Sequence, residues 1–124
     1  MVDLGKIKQL YNFSKQLSFS DANELISAAQ SNIFTKKEII IEEGSKMNTV
    51  YFVRSGMIRK YFINEKGEEI TFALIPENNI VANVDVILFD QASRFHYEAI
   101  EKTKAFSIDY DLIQKIFEKN PKLE

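Results

Sequence analysis

The stretch that decides the fold is VYFVRSGMIRKYFINEKGEEITF, residues 50–72. It contains three short runs rich in β-branched and aromatic residues, which favour strands. Gly56 separates the first two runs. Asn64-Glu65-Lys66-Gly67 separates the second from the third and is a typical hairpin turn, with glycine where a positive φ is needed. The segment therefore predicts strands over residues 49–55, 57–64 and 68–76.

Similar short runs flank this segment on both sides. The triplet Ile39-Ile40-Ile41 is an apolar run bounded by charges, as in a buried strand. Ile70, Phe72 and Leu74 alternate with their neighbours, which predicts a half-buried strand face. The further predicted strands cover 32–35, 38–43, 79–82, 95–101 and 104–108. Eight short strands at this spacing predict a mainly β fold, a double-sheet jelly roll (double-stranded β-helix, or β-roll), with Phe52, Phe62, Phe72 and Phe106 in its core.

Helices are predicted on either side of the strands. Residues 3–16 have apolar residues near helical spacing, and a second helix is expected to begin near Ser20 as its N-cap. The last helix is expected over 109–119, with Leu112, Ile113, Ile116 and Phe117 on one face. The predicted division is a single domain, 1–124, made of N-terminal helices (1–30), the β-roll (31–108) and a C-terminal helix (109–120).

Composition narrows the possible functions of the 124-residue chain. There is no cysteine, which excludes disulfides, thiolate catalysis and iron–sulfur clusters. A net charge of −2 gives no basic footprint for nucleic acid. His96 is the only histidine, whereas a cupin-type metal enzyme needs two or three with a carboxylate. No secretory signal or long apolar run is present, so we expect a cytoplasmic protein that is not an enzyme and holds no metal.

The order of helices, eight strands and a helix resembles the cyclic-nucleotide-binding domain of bacterial transcription regulators of the Crp/Fnr type. The resemblance covers roughly residues 17–122. Four sequence segments carry the resemblance, in the family's order and spacing: Phe34–Gly44 (FTKKEIIIEEG), Tyr51–Gly56 (YFVRSG), Gly67–Phe72 (GEEITF) and Ile108–Phe117 followed by Asn120-Pro121.

The resemblance implies a phosphate-binding cassette over residues 80–97. In the family this cassette is Gly-Glu-Leu, a short helix, and then an arginine followed by Ser or Thr. The glycine allows close approach to the cyclic phosphate, the glutamate holds the ribose hydroxyl, and the arginine neutralises the phosphate. In this sequence those positions hold, in the same order, Ala82, Asn83, Val84, Ser93 and Arg94.

Cyclic AMP binding is therefore expected to be weak or absent. Each lost charge-assisted hydrogen bond costs about 1.5–3 kcal/mol, and Asp85 and Asp90 add negative charge near the phosphate position. Arg94 either returns to the pocket through a one-residue slip in the loop at 90–92 or is a solvated arginine. Asn83 is expected to cap the short helix 84–89. The candidate ligand residues of this degenerate cassette are Ala82, Asn83, Val84, Ser93, Arg94 and Phe95.

The resemblance implies a ligand-sensing regulatory domain whose effector is left open, a cyclic nucleotide or another small anion. An alternative is a ligand-free interaction or dimerisation module with its pocket filled by Phe95 or Ile80; a cupin-type enzyme is a remote alternative. We expect a homodimer in the full-length regulator, no membrane partner, and DNA binding only through a helix-turn-helix domain outside this chain. The chain is either cut from a larger regulator or naturally short.

Overall fold

A computed structural model describes residues 19–119 of the chain. Within them the predicted order of eight strands and a closing helix is confirmed. The helix predicted over residues 3–16 lies outside the described residues, and the next helix begins at Phe19, so that Ser20 lies inside it rather than before it. The elements are α1 (Phe19–Ala28), β1 (Gln30–Phe34), β2 (Ile39–Ile41), β3 (Thr49–Ser55), β4 (Met57–Ile63), β5 (Glu69–Pro76), β6 (Ile80–Ala82), α2 (Val84–Phe89), β7 (His96–Ala99), β8 (Thr103–Asp109) and α3 (Tyr110–Lys119).

The strands form two antiparallel four-stranded sheets, which make up the predicted β-roll. One sheet has the order β1-β8-β3-β6 and the other the order β2-β7-β4-β5. Consecutive strands β3 and β4 belong to different sheets, so Gly56 between them is a corner of the roll. Its φ is +102°, and a Cβ there would lie 2.4 Å from the hydroxyl oxygen of Thr103. Glycine is required at this corner both for its backbone angle and for space.

The turn at Asn64–Gly67 is the predicted hairpin and joins β4 to β5. The side-chain oxygen of Asn64 accepts the backbone N–H groups of Lys66 and Glu68, each at 2.9 Å. Gly67 has φ +81° and donates its N–H to the Asn64 carbonyl at 3.0 Å. The Asn64 side chain thus organises the turn by accepting backbone N–H groups of the residues that follow it, as such residues do in tight turns.

The core is aliphatic with buried tyrosines, not built on phenylalanine as predicted. One cluster joins strand residues to the inner faces of α1, α2 and α3: Leu25, Val50, Ile87, Ile108, Tyr110, Ile113 and Ile116. The other consists of strand residues alone: Ile41, Tyr51, Val53, Ile58, Val81, Tyr97 and Ala105. The prediction that Phe52 and Phe72 are core residues is wrong, because they are 37% and 63% exposed.

The register of β5 is interrupted at Phe72. Lys60 on β4 pairs with Ala73, and the next residue, Tyr61, pairs with Thr71, so Phe72 is the extra residue of a β-bulge. A bulge shifts the alternation of faces along a strand. The half-buried face predicted from Ile70, Phe72 and Leu74 is wrong, since all three side chains are exposed.

Candidate functional site

Asn83 binds a neighbouring loop and does not cap a helix through its side chain. It stands just before α2 and is 1% exposed. Its side-chain N–H₂ donates to the carbonyl oxygens of Ser45 (3.0 Å) and Met47 (3.1 Å) in the loop between β2 and β3, residues 42–48. Asn83 occupies the predicted N-cap position of α2, where its backbone carbonyl accepts the Ile87 N–H at 3.1 Å, but the predicted side-chain cap is wrong, because no side-chain hydrogen bond to the helix is formed. The amide oxygen is buried without a partner among residues 19–119.

Ser93, at the other end of the cassette, also forms hydrogen bonds with the β2–β3 loop. Its backbone N–H donates to the Ser45 carbonyl at 2.9 Å, and its own carbonyl accepts the Gly44 N–H at 2.7 Å. The hydroxyl donates to the Phe95 carbonyl at 2.7 Å. The side chain is buried. The position where the sequence comparison places an arginine is thus occupied by internal hydrogen bonds.

Arg94 is held by Asp85. Carboxylate oxygen Oδ1 of Asp85 accepts Nε (3.0 Å) and Nη2 (2.9 Å) of the guanidinium, and Oδ2 accepts the backbone N–H of Arg94 (2.8 Å). The carboxylate is nearly buried, while the arginine side chain is 64% exposed. The sequence left two alternatives for Arg94, a free solvated residue or an anion ligand. The structure shows neither, because the guanidinium is already bound to a carboxylate of the protein.

Electrostatics keep this pair charged. Burial acts to raise the pKa of Asp85, but the hydrogen bonds and charge of Arg94, helped by Lys60, outweigh it and hold the pKa below its usual value. The pKa of Arg94 is raised by the hydrogen bond and charge of Asp85. The ion pair is therefore formed throughout the neutral range.

The other predicted site residues are placed as follows. Ala82 pairs with Val50 on β3 and closes strand β6. Val84 is the first residue of α2 and is 36% exposed. The ring of Phe95 lies 5.0 Å from that of Phe72 and 6.0 Å from that of Phe62, centre to centre. All six predicted residues therefore lie along β6, the start of α2 and the approach to β7, but their polar groups do not converge on one empty point.

Sequence reasoning missed Lys60. Its ammonium lies 4.4 Å from the ring centre of Phe95, 5.0 Å from Phe72 and 5.5 Å from Tyr97. We call these four residues the Lys60 cluster. Lys60 pairs with Tyr97 across β4 and β7, on the side of the sheet that faces the core. Burial lowers the pKa of Lys60, which the charge of Asp85 partly offsets and that of Arg94 reinforces.

A signal for this lysine was present in the sequence. Ile58, Lys60 and Phe62 alternate along a predicted strand, so a cation shares its face with apolar side chains. A lysine on the inner face of a strand is an unusual placement. That pattern, and not any family motif, marks Lys60 as a residue to examine.

A cavity of about 240 Å³ lies elsewhere, beside the β2–β3 loop. Its walls are strand β2, the loop and the start of β3: Ile39, Ile40, Ile41, Glu42, Ser45, Met47, Thr49 and Tyr51. None of the six predicted site residues lines it. Asn83 touches its edge only through the carbonyls of Ser45 and Met47.

His96 has a structural setting. Its ring stacks on Tyr61 at 5.1 Å, Nδ1 accepts the Glu43 N–H at 3.2 Å, and Nε2 lies 3.6 Å from the Glu43 carboxylate.

Over residues 19–119 no three acidic or histidine side chains are grouped as metal ligands. In the same part of the chain no helix has the length and apolar character needed to cross a membrane.

Known proteins share both the sequence and the fold. The chain is 30% identical over 93 residues to an anaerobic regulatory protein of Haemophilus influenzae, covering 71% of this chain and 34% of that protein. It is 28% identical over 91 residues to a global nitrogen regulator of Nostoc, covering 73% and 41%. The chain thus spans about a third to two-fifths of the length of these relatives.

Solved structures show the same architecture. The sensor domain of the transcriptional regulator DNR from Pseudomonas aeruginosa superposes with a TM-score of 0.81 at 17% identity, covering 96% of this chain and 79% of that one. The catabolite activator protein of Thermus thermophilus gives 0.74 at 18%, covering 90% and 52%. Residues 32–120 match the model of the cyclic nucleotide-binding domain. The relatives of this chain are regulators of the Crp/Fnr type, and the chain belongs to the cyclic nucleotide-binding domain family.

Proposed function

We propose that this chain is the sensor domain of a Crp/Fnr-type transcription regulator whose phosphate-binding cassette is degenerate, so that cyclic AMP binds weakly or not at all. One observation carries the proposal: the N–H₂ group of Asn83, Ser93 and the guanidinium of Arg94 are hydrogen-bonded within the protein. Asn83 and Ser93 bind the β2–β3 loop, and Arg94 binds Asp85.

The energetic consequence follows from these bonds. A cyclic nucleotide bound here would lack the contacts that the family's glutamate and arginine make, each worth about 1.5–3 kcal/mol when charge-assisted. To use Arg94 it must also displace the Asp85 carboxylate, which is held by three hydrogen bonds. A site of micromolar affinity for cyclic AMP that loses two such contacts moves to about millimolar or weaker.

The wider role rests on the relatives. The curated proteins that match are regulators by name, so the whole protein is proposed to act on transcription as a cytoplasmic homodimer and not as an enzyme. DNA would be bound by a part outside this chain. Residues 1–124 are proposed to form one domain. A change in the β-roll would then alter the position of the DNA-binding part, which requires two states that differ in ligand affinity.

A ligand-free interaction module is the second candidate, and the packing of Phe95 favours it. That ring contacts Phe62, Phe72 and the Lys60 ammonium, and so takes up space beside the cassette. Ile80, the other side chain expected to fill the pocket, packs instead against the core cluster of α2 and α3. In this alternative the roll serves only to pack against a partner.

Thermal melts with cyclic AMP and cyclic GMP, each to several millimolar, test the proposal, with calorimetry on any positive result. A ligand at 100 times its Kd stabilises a fold by about 2.7 kcal/mol, a shift of several degrees for a domain of this size. We expect no such shift. A clear shift that Arg94→Ala abolishes would contradict the degenerate cassette and show that Arg94 leaves Asp85 for the phosphate.

A further inference from the structure

We propose that Lys60 is the anion-binding residue of this domain, and that the Lys60 cluster takes a small organic monoanion with an apolar or aromatic body. The inference rests on the proposed sensing role and names its ligand class. The site lies against the inner side of β4 and β7, beside the cassette and not within its motif.

The ammonium of Lys60 has no anionic partner of its own. Among residues 19–119 it makes no hydrogen bond or ion pair, and its near neighbours are the three rings of the Lys60 cluster. The nearest carboxylate, that of Asp85, is engaged by Arg94. A half-buried cation over aromatic faces is partly compensated by cation–π attraction but remains able to accept an anion.

Lys60, Arg94 and Asp85 together carry one positive charge. Lys60 and Arg94 are cations, and Asp85 is the anion that influences both. The neighbouring Arg59, Glu69 and Glu98 form a separate group with a net charge of −1, in which Arg59 Nη2 lies 2.7 Å and 3.1 Å from the two carboxylates. A ligand with a single negative charge would therefore neutralise the net charge of Lys60, Arg94 and Asp85.

Tyr97 adds a neutral hydrogen-bond donor. It is 3% exposed, and its ring centre lies 5.5 Å from the Lys60 ammonium. Burial raises its pKa to about 12, so the hydroxyl keeps its proton at neutral pH. The Asp85 charge acts on Tyr97 as well as on Lys60, which places the phenol and the ammonium in the same electrostatic environment.

The aromatic rings provide the apolar part of the site. Phe72 is 63% exposed at the edge of the cluster and contacts Phe95. The bulge in β5 places that ring there. An exposed phenylalanine beside a partly desolvated cation suits a ligand that combines an acidic group with a flat apolar body. Both an aromatic carboxylate and a cyclic nucleotide have that chemistry, and an experiment separates them.

The test uses sodium benzoate as the probe at constant ionic strength, with neutral benzamide and cyclic AMP in parallel. Binding to the whole chain is followed by backbone amide NMR shifts, read at Phe95 and Tyr97. Lys60→Met removes the charge while keeping the length of the side chain, and Lys66→Met at the exposed hairpin tip is the matched control. We expect benzoate to bind in the millimolar range and benzamide not to bind.

Lys60→Met is expected to lower the affinity for benzoate about tenfold to a hundredfold, while Lys66→Met leaves that affinity unchanged. Equal benzoate affinity in both variants, or no shift at Phe95 with wild-type protein, would overturn the inference. A melt of each variant shows that it is folded. Tight cyclic AMP binding that depends on Lys60 supports this site and overturns only the weak-binding proposal. Tight binding of cyclic AMP that does not depend on Lys60 overturns both the weak-binding proposal and the Lys60 site.

Discussion

Asp85 receives three hydrogen bonds from a single residue, Arg94, nine positions further along the chain. Two come from the guanidinium and one from the backbone N–H. The pair closes the loop that connects α2 to β7. The carboxylate is buried and the arginine side chain is mostly exposed. The contact therefore stabilises the fold mainly because it supplies hydrogen bonds to a buried charge, Asp85, that would otherwise lack them.

Asp85→Asn is expected to lower the free energy of unfolding by about 1.5–3 kcal/mol, measured by urea denaturation at pH 7. The amide cannot accept three charge-assisted hydrogen bonds. Asp90→Asn is the control, because Asp90 is exposed and has φ +53°, a conformation that asparagine also adopts readily. A loss of equal size in the two variants would show that the Arg94 contact contributes little.

The same pair predicts a dependence of stability on pH. The pKa of Asp85 is lower in the folded chain than the unfolded value of about 3.9. A lowered folded pKa contributes stability that is fully present above about pH 3.9 and is lost as pH falls through the folded pKa. The difference in unfolding free energy between wild type and Asp85→Asn should therefore be constant near neutrality and shrink below about pH 4. A gap that persists into strong acid would contradict the assignment.

Asn83 gives a test of the loop contacts. Asn83→Ala removes the donors to Ser45 and Met47 and leaves buried carbonyls less satisfied, which should cost about 1–3 kcal/mol. Asn83→Asp keeps the shape but sets an acceptor against two carbonyl oxygens, so it should destabilise at least as much. Hydrogen exchange at the Gly44 amide, which binds the Ser93 carbonyl, should accelerate in both variants. Unchanged exchange would show that Ser93 alone holds the loop.

The fold was predictable because its determinants are local. Alternating strands and glycine turns are visible in the sequence, and Gly56 and Gly67 both have positive φ. The site was less predictable because its contacts are not local. Asn83 looks like a helix cap until the carbonyls of Ser45 and Met47, 36 to 38 residues away, are found beside it. The bulge at Phe72 likewise depends on pairing with β4, which composition does not reveal.

Two glycines separate backbone strain from crowding. Gly56→Ala brings its Cβ to 2.6 Å from the Lys102 carbonyl oxygen and 2.7 Å from the Thr103 Cα, both backbone atoms that cannot move aside. Gly67→Ala meets nothing within 4 Å and carries only the cost of a positive φ. We expect a loss of about 3 kcal/mol or more for Gly56→Ala and about 1–2 kcal/mol for Gly67→Ala. Similar losses in the two variants would mean that the corner relaxes.

Lys60 should stabilise the fold less than an apolar residue would. Burial lowers its pKa, so the fold disfavours the charged form at neutral pH. Lys60→Met exchanges cation–π contacts for sulfur–aromatic contacts of similar strength and removes the desolvation cost. We therefore expect the free energy of unfolding at pH 7 to rise by a few tenths to about 1 kcal/mol.

The size of this effect depends on pH. Because the folded pKa is lowered, the penalty is fully present below the folded pKa, where the lysine is charged in both states, and it fades as pH rises from the folded pKa to the unfolded value of about 10.4. The advantage of Lys60→Met should thus shrink in alkaline solution, as measured by urea denaturation from pH 7 upward. A clear loss of stability at pH 7 would instead identify Lys60 as a structural residue. A gain at pH 7, together with weaker benzoate binding, is the pattern of a residue that costs stability and serves binding.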